Sequence, residues 1–455
     1  MKNVLLLGAG LVSPPLVRYF LARGEWRLTI AAEHLGRIEP LIADRMRARG
    51  VAADLSDPAV LRDLIRGADV VVNLLPATML AQVARAALDE RKPMVSTSYV
   101  SDAVREMDDE ARREDVLLLC EVGFDPGLDH MSAVRTIRRL RNRGGRITHF
   151  SSSAGGFPAL DANSNPWGYK FSWSPRAVIL AARNPARYLR EGQVVEIPGA
   201  RLFAHRWRRE IEQAGVFEIY ANRDALLYRE PYRLQDAQDI FRGTIRRAGW
   251  SDTMKAVADL GLFEDVAVEW PEGTTWIDVV TRRMPPGNGS VIRRVAEFVG
   301  CDPDSDVITR LEWTGLLSDR RLPVRTASPL DLFIRRLETL MQYHAGERDM
   351  IAMQHEFRVE FPDGRVEEIT SFLVREGEPW GDSAMSQTVA LPAAIAARLI
   401  VSGGIRATGV AIPVGAEILY PILEELEGLG ISFQERTQIK FPGPIESPGA
   451  DGTVE

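Results

Sequence analysis

The chain opens with MKNVLLLGAGLVSP (residues 1–14), and the reading of this stretch decides the fold. Val4 to Leu7 is a short apolar run, Gly8-Ala9-Gly10 follows at once, and Pro14 and Pro15 open a helix. The pattern predicts a buried strand, a tight glycine turn and a helix N-terminus. Gly8 lets the backbone turn sharply, and Gly10 removes a Cβ where a pyrophosphate approaches. The helix beyond offers free N–H groups and the positive end of its dipole to phosphates. Ser13 stands where the dinucleotide fingerprint has its third glycine. Its small side chain still permits close helix–strand packing.

Working outward, strands and helices alternate. A helix over 14–24 closes at Gly24, and Arg27–Ala32 is a second strand ending at Glu33. Residues 37–49 are predicted helical, and 51–55 a third strand ending near Asp54. Asp69–Leu75 (DVVVNLL), 93–96 (PMVS) and 116–120 (VLLLC) are further strands, with helices over 78–90 and 102–114 between them. This spacing predicts a doubly wound parallel sheet, whose ligands bind off the carboxyl ends of the strands. Those ends carry Gly8–Gly10, Glu33, Asp54, Leu75-Pro76, Thr97-Ser98-Tyr99 and Gly123-Phe124-Asp125-Pro126-Gly127. Three hydroxyls beyond one strand, and one carboxylate in a glycine-flanked turn beyond another, mark Tyr99 and Asp125 as a candidate acid/base pair.

Glu33 lies 23 residues after Gly10, where an acidic side chain accepts hydrogen bonds from the adenosine ribose. A carboxylate there attracts a 2′-hydroxyl and repels a 2′-phosphate, so the sequence leans to NAD over NADP. His34 and Arg37 follow, and either has the charge to reach a 2′-phosphate.

With 455 residues, two or three domains are expected. The net charge of −7 without a basic block argues against nucleic acid as a partner. Two cysteines, Cys120 and Cys301, argue against a disulfide framework and fit a reducing compartment, and no metal is expected. The first apolar run stops at Gly8, too short for a membrane span, so a cytoplasmic location without membrane attachment is expected.

After residue 130 the pattern changes. A helix over 131–142 leads to a strand over 146–153 and Ala154-Gly155-Gly156. Asn165–Arg176 (NPWGYKFSWSPR) interleaves aromatics with Lys170 and Arg176, a composition that suits a small anionic substrate better than single-stranded nucleic acid in so acidic a chain. Residues 177–190 are predicted helical and 193–220 short strands. Phe241–Arg246 (FRGTIR) carries two arginines and a hydroxyl. Residues 246–344 read as mainly helical, with an amphipathic helix over 329–344. Strands over 350–360 and 366–374 join at an Asp363-Gly364 hairpin, helices follow over 391–402 and 415–428, and the end from about 440 reads as loose.

Together these stretches resemble the saccharopine reductase family, the glutamate-forming saccharopine dehydrogenases. The matching pieces include VLLLGAGLVSPP, DVVVNLLP, STSYVSDAVRE, EVGFDPGLDHM, GYKFSWSPR, FRGTIRRAGW, GERDMIAMQHEF and SAMSQTVALPAAIA, spread from residue 4 to about 425. The resemblance implies an α/β fold of a Rossmann domain (1–129, with helices 391–430 packing back on it), an α/β substrate and dimerisation domain (130–245 and 345–390) and a helical subdomain (246–344). It implies a homodimer acting on saccharopine. A hydride goes from the aminoadipate-side carbon to nicotinamide, and the imine hydrolyses to glutamate and aminoadipate semialdehyde. It places the dinucleotide, NAD or NADP, on Gly8, Ala9, Gly10, Leu11, Val12, Ala31, Ala32, Glu33, Asp54, Leu55, Leu75, Thr97, Ser98, Phe124, Asp125, Pro126 and Ser174. It places saccharopine on Ser98, Tyr99, Asp125, Arg223, Thr244, Ile245 and Arg246, with Lys170 as a further cation. Bidentate arginines suit a substrate with three carboxylates.

One departure is Ala154, where family members often carry Cys before the Gly-Gly pair. If that thiol assists proton transfer, this chain relies on Asp125 and Tyr99, or acts on another N-carboxyalkyl amino acid or a polyamine conjugate such as carboxynorspermidine. A pocket richer in carboxylates than arginines would favour the polyamine. A catalytically silent NAD-binding regulator is the remaining alternative, and it would have no use for a proton-shuttling pair.

Overall fold

A computed structural model of the chain describes residues 1–42, 46–181 and 183–441. Six strands, β1 (Lys2–Leu7), β2 (Trp26–Ala32), β3 (Ala48–Ala52), β4 (Val70–Asn73), β5 (Met94–Ser96) and β6 (Leu117–Leu119), build a parallel sheet in the order β6-β5-β4-β1-β2-β3. β1, β4, β5 and β6 are buried on both faces, which is why they read as continuous apolar runs, whereas the edge strand β3 is partly exposed. Val4 and Leu6 face one hydrophobic cluster with Val70 and Val72, while Leu5 and Leu7 face another with Val71 and Leu118. The chain order reverses on either side of β1, so the crevice at its carboxyl end is where a doubly wound sheet binds its ligand.

The predicted opening is present. Gly8 has φ +102° and a Cβ there would lie 3.1 Å from the Leu74 carbonyl oxygen, so the turn requires glycine. A Cβ on Gly10 would meet nothing within 4 Å, which leaves open space in front of the helix Pro14–Leu21.

A second, mixed sheet of nine strands forms the other domain. Its centre is the long strand Arg146–Pro158, parallel to Asp239–Arg246 on one side and antiparallel to Asp349–Glu360 on the other. Val366–Glu376 continues it, and the hairpin of Arg206–Ile211 and Gly215–Ala221 extends the opposite flank. The helix Ala384–Val401 is long and apolar enough to span a membrane, but most of it is buried, packed on the first helix, β4, β5 and the strand Asp349–Glu360. It therefore joins the two domains from within. Helices of the segment 250–340 form the predicted helical part.

Several boundaries differ from expectation. The helix over 37–49 is only Leu35–Ile38 followed by a 3₁₀ turn, Glu39–Leu41, because Pro40 removes an N–H and restricts its predecessor; residues 43–45 lie outside the described residues. The third strand is Ala48–Ala52, ending sooner because the Asp54 carboxylate turns the chain by accepting from the Ser56 N–H at 2.9 Å. The helix over 177–190 is Pro175–Ala181, and Ala186–Arg190 is a strand; Asn184-Pro185 separates them. The strand at 146 runs through both glycines to Pro158, since a Cβ on Gly155 would lie 2.3 Å from the Ile245 carbonyl oxygen. The helix over 329–344 is Pro329–Leu340, and that over 391–402 begins at Ala384, capped by Ser383. Two late strands escaped the sequence reading. Gly409–Ala411 adds to β6, and Gln434–Lys440 adds to Val366–Phe372. The expected loose end beyond residue 441 lies outside the described residues.

Candidate active site at the domain junction

The carboxyl ends of β5 and β6 meet the second sheet at one cluster. Tyr99 follows β5, and its hydroxyl donates to Asp125 Oδ1 at 2.9 Å. Asp125 sits in the turn after β6. A Cβ on Gly127, which has φ +144°, would lie 2.2 Å from the Gly123 backbone N and O, so the turn closes this tightly only with glycine. From the second sheet, Arg242 Nη2 donates to Asp125 Oδ1 at 2.5 Å, to Asp129 Oδ2 at 2.6 Å and to the Tyr99 hydroxyl at 3.3 Å. Asp129 opens the helix Leu128–Asn142 and accepts from the Gly127 N–H at 2.6 Å.

Behind this cluster a second set of polar groups is fully paired. Glu121 accepts from the Val100 N–H at 3.0 Å and from Tyr228 at 3.1 Å, and lies 2.8 Å from His130 Nε2. His130 Nδ1 in turn contacts the Tyr232 hydroxyl. Buried polar groups stay bound to one another because leaving any one unpaired costs its full desolvation.

Burial pushes the Asp125 carboxyl above the usual carboxylate range; Arg242 opposes this and Asp129 reinforces it. Asp129 lies below its ordinary value: burial works against ionisation, but His130, Arg242 and the Gly127 N–H outweigh it. Burial also raises the Tyr99 phenol well above its ordinary value. A neutral phenol, a basic carboxylate and a fixed guanidinium therefore share one small volume.

Two predicted cations flank the cluster. The Arg223 guanidinium lies 4.4 Å from the centre of the Tyr99 ring and is exposed, at the rim. Arg246 is 7% exposed; its guanidinium lies over Tyr169 at 5.0 Å and Trp250 at 5.3 Å, and Nη1 donates to the Ile245 carbonyl at 2.8 Å. Its Nε has no partner, and among the described residues no carboxylate pairs with it. Thr244 is on the same strand face, two residues away.

Other predicted residues are placed differently. Lys170 is buried and held by both oxygens of Glu347, at 2.7 and 2.6 Å, so its charge is already matched. The Ile245 side chain is fully buried among Phe157 and Phe217, on the sheet face away from Arg246, which leaves only its backbone for a ligand. Ser174 is exposed before the helix Pro175–Ala181, where its hydroxyl accepts from the Ala177 N–H. Ala154 lies in register with Thr244 and Met353 and supplies no ionisable group.

The dinucleotide candidates line the sheet's carboxyl edge. Ala9, Gly10, Leu11 and Val12 form the turn before the helix. Ala31 and Ala32 end β2, Asp54 and Leu55 follow β3, Leu75 follows β4, and Thr97 and Ser98 follow β5. Phe124 and Pro126 flank Asp125 after β6. The open space at Gly10 and the small residues at the strand ends fit a dinucleotide.

In the sequence alone Arg242, Asp129, Glu121 and His130 carry no assigned role. A signal for Arg242 was present: on a strand, residues 242, 244 and 246 share one face.

Fold and site together define a dinucleotide-binding α/β protein with a buried cluster of ionisable side chains where its two sheets meet. The chain belongs to the saccharopine dehydrogenase family. Residues 4–119 match the family's saccharopine dehydrogenase NADP binding domain and residues 123–431 its saccharopine dehydrogenase C-terminal domain. The chain is 35% identical over 444 residues to the saccharopine dehydrogenase [NADP(+), L-glutamate-forming] of Saccharomyces cerevisiae, covering 96% of this chain and 99% of that one. It is 33% identical to the mitochondrial alpha-aminoadipic semialdehyde synthase of Mus musculus, covering 97% of this chain and 48% of that one. The fold matches the structure of the apo histidine-tagged saccharopine dehydrogenase (L-Glu forming) from Saccharomyces cerevisiae with a TM-score of 0.85 and 34% identity, over 96% of this chain and 100% of that one.

Proposed function

We propose that the protein is an L-glutamate-forming saccharopine dehydrogenase that oxidises the secondary amine of saccharopine with NADP. The relatives' names supply the substrate, and Arg246 is the observation in this chain that carries the reading. A guanidinium buried without a carboxylate is costly unless an anion completes it, and saccharopine brings three carboxylates. Arg246 takes one of them in the interior and Arg223 another at the rim. Arg223, Arg242 and Arg246 stand against Asp125 and Asp129, an excess of one positive charge, which favours a polycarboxylate over a polyamine conjugate.

Held at the strand ends from Gly8–Val12 to Phe124–Pro126, a dinucleotide would supply the acceptor for the hydride leaving the substrate carbon beside the secondary amine. The protein's own residues then manage protons. Asp125, held by Tyr99 and Arg242, takes the proton from the amine, releases it to solvent at its exposed edge, and then takes a proton from the water that adds to the imine carbon. Asp125 passes that proton to the nitrogen and then takes the hydroxyl proton of the adduct as the C–N bond breaks and the C=O forms, releasing glutamate and the semialdehyde. With Ala154 beside the site, Tyr99 and Asp125 carry this work without a thiol.

The cofactor reading moves from NAD toward NADP. The relatives carry NADP(+) in their names and the matched amino-terminal model is an NADP binding domain. Glu33, on which NAD rested, has a side chain 82% exposed, with His34 3.8 Å away. A carboxylate standing in solvent is free to turn aside and leave a 2′-phosphate to His34 and Arg37. The test mixes purified protein and saccharopine with NADP+ or NAD+ and follows absorbance of the reduced cofactor. Turnover is expected with both, with the higher kcat/KM for NADP+. No turnover with either overturns the activity, and a higher value for NAD+ overturns the cofactor choice.

A further inference from the structure

One nitrogen, Arg242 Nη2, serves two carboxylates on different turns of the same chain segment. It lies 2.5 Å from Asp125 Oδ1 and 2.6 Å from Asp129 Oδ2. Both charged side chains behind Asp125 are sealed from water: Arg242 is 3% exposed and Asp129 2%, while Asp125 is 14% exposed toward the crevice. One positive charge therefore faces two negative ones, and only Asp125 has access to a ligand. Asp129 is fixed as the ionised partner by the Gly127 N–H, with His130 Nδ1 3.5 Å away. The remaining Asp125 charge feels a guanidinium that Asp129 has already largely neutralised.

We propose that Asp129 and Arg242 are positioning residues that set the protonation of Asp125 with opposite signs, Asp129 making it a stronger base and Arg242 a weaker one. The proposal rests on the saccharopine dehydrogenase reading. A carboxylate clamped by a lone arginine is a poor base near neutral pH. The second carboxylate, out of the substrate's reach, restores its basicity while the arginine keeps its orientation.

The groups facing Asp125 are few. Tyr99 comes from the loop after β5, Arg242 from the strand Asp239–Arg246, and Asp129 and His130 from the helix Leu128–Asn142. Glu121 and Tyr228 lie one layer further, paired to each other, and His355, from the strand Asp349–Glu360, faces Asp129. Arg223 reaches the cluster only across the Tyr99 ring.

The experiment is a pH profile of kcat/KM for saccharopine, in which the acid limb lost in Asp125→Asn identifies the Asp125 ionisation. Asp129→Asn, of nearly unchanged shape, is expected to move that limb to lower pH by about one unit, because a neighbouring negative charge has gone. Arg242→Gln is expected to move it up by a similar amount, and Arg242→Lys to leave it near its original position. The same ionisation is read without substrate or cofactor from the carboxylic-acid C=O infrared band that Asp125→Asn removes. This keeps the proposal testable if saccharopine proves not to be turned over. An unmoved ionisation in folded Asp129→Asn, or shifts of the same sign in Asp129→Asn and Arg242→Gln, overturns it. If Arg242→Gln does not fold, Asp129→Asn decides alone.

Discussion

Tyr99 and Asp125 hang from the ends of two neighbouring parallel strands, β5 and β6, and their side chains meet at 2.9 Å. The sheet itself sets this distance: adjacent strands lie about 4.8 Å apart, so residues just beyond their ends are natural partners. The pair sits in the short connections that leave these strands and is pinned by Arg242, which favours a fixed proton-transfer geometry.

Asp125→Asn is expected to lower kcat by about 10²–10⁴-fold with little change in KM, the usual range for a lost acid/base group. Tyr99→Phe keeps the carboxylate and is expected to lose less. A Tyr99→Phe variant slower than Asp125→Asn would reverse the roles of the two.

Arg246→Met is expected to raise KM for saccharopine by about 10–100-fold, matching the roughly 1.5–3 kcal/mol of a charged hydrogen-bonded contact. Its Tm without ligand is expected to stay level or rise, since an unmatched buried charge is replaced by an apolar side chain. An unchanged KM with a lower Tm would make Arg246 a purely structural group.

Gly127→Ala places a Cβ within 2.2 Å of the Gly123 backbone at a φ that side-chain-bearing residues rarely adopt. We expect a cost of about 2 kcal/mol or more, seen as a lower Tm, together with loss of activity because this turn carries Asp125 and the N–H that binds Asp129. Wild-type Tm and rate would mean the turn relaxes without consequence.

His355 is fully buried, 2.8 Å from Ser132 Oγ and 3.1 Å from Ser152 Oγ, and burial lowers its imidazole from 6.5 to about 4. Between those values the unfolded chain binds a proton that the native protein refuses. The stability this histidine contributes is thus complete above pH 6.5 and is lost as pH falls toward 4. His355→Gln is expected to show a shallower acid loss in Tm than the wild type over that window; an equally steep loss would assign it elsewhere.

The centre of the first sheet is legible because β1, β4, β5 and β6 are buried on both faces and stand out as apolar runs between helices. The pieces that misread have identifiable causes. Ala186–Arg190 is a strand of mixed polarity, and Asn184-Pro185 before it marks a boundary that the sequence reading passed over. Gly409–Ala411 has only three residues, too few to show any periodicity. In the site, Tyr99 and Asp125 were found from their places at strand ends. Lys170 reads in the sequence as a free cation because its partner, Glu347, is 177 residues away and nothing local announces the pair. Arg242 and Asp129 gain their importance only from facing each other across the domain junction.

The strand Gly409–Ala411 completes the edge of the nucleotide sheet, and its Val410 N–H is bound by Asp108, 302 residues earlier in the chain. The sheet that starts with β1 therefore waits for residues 409–411 before its rim is closed. Until then β6 presents an open edge to its surroundings, the kind of surface that invites mispairing. A fragment cut at residue 129 would carry every glycine of the phosphate turn and still lack a finished sheet, so the nucleotide half is not a module that can be lifted out and used alone.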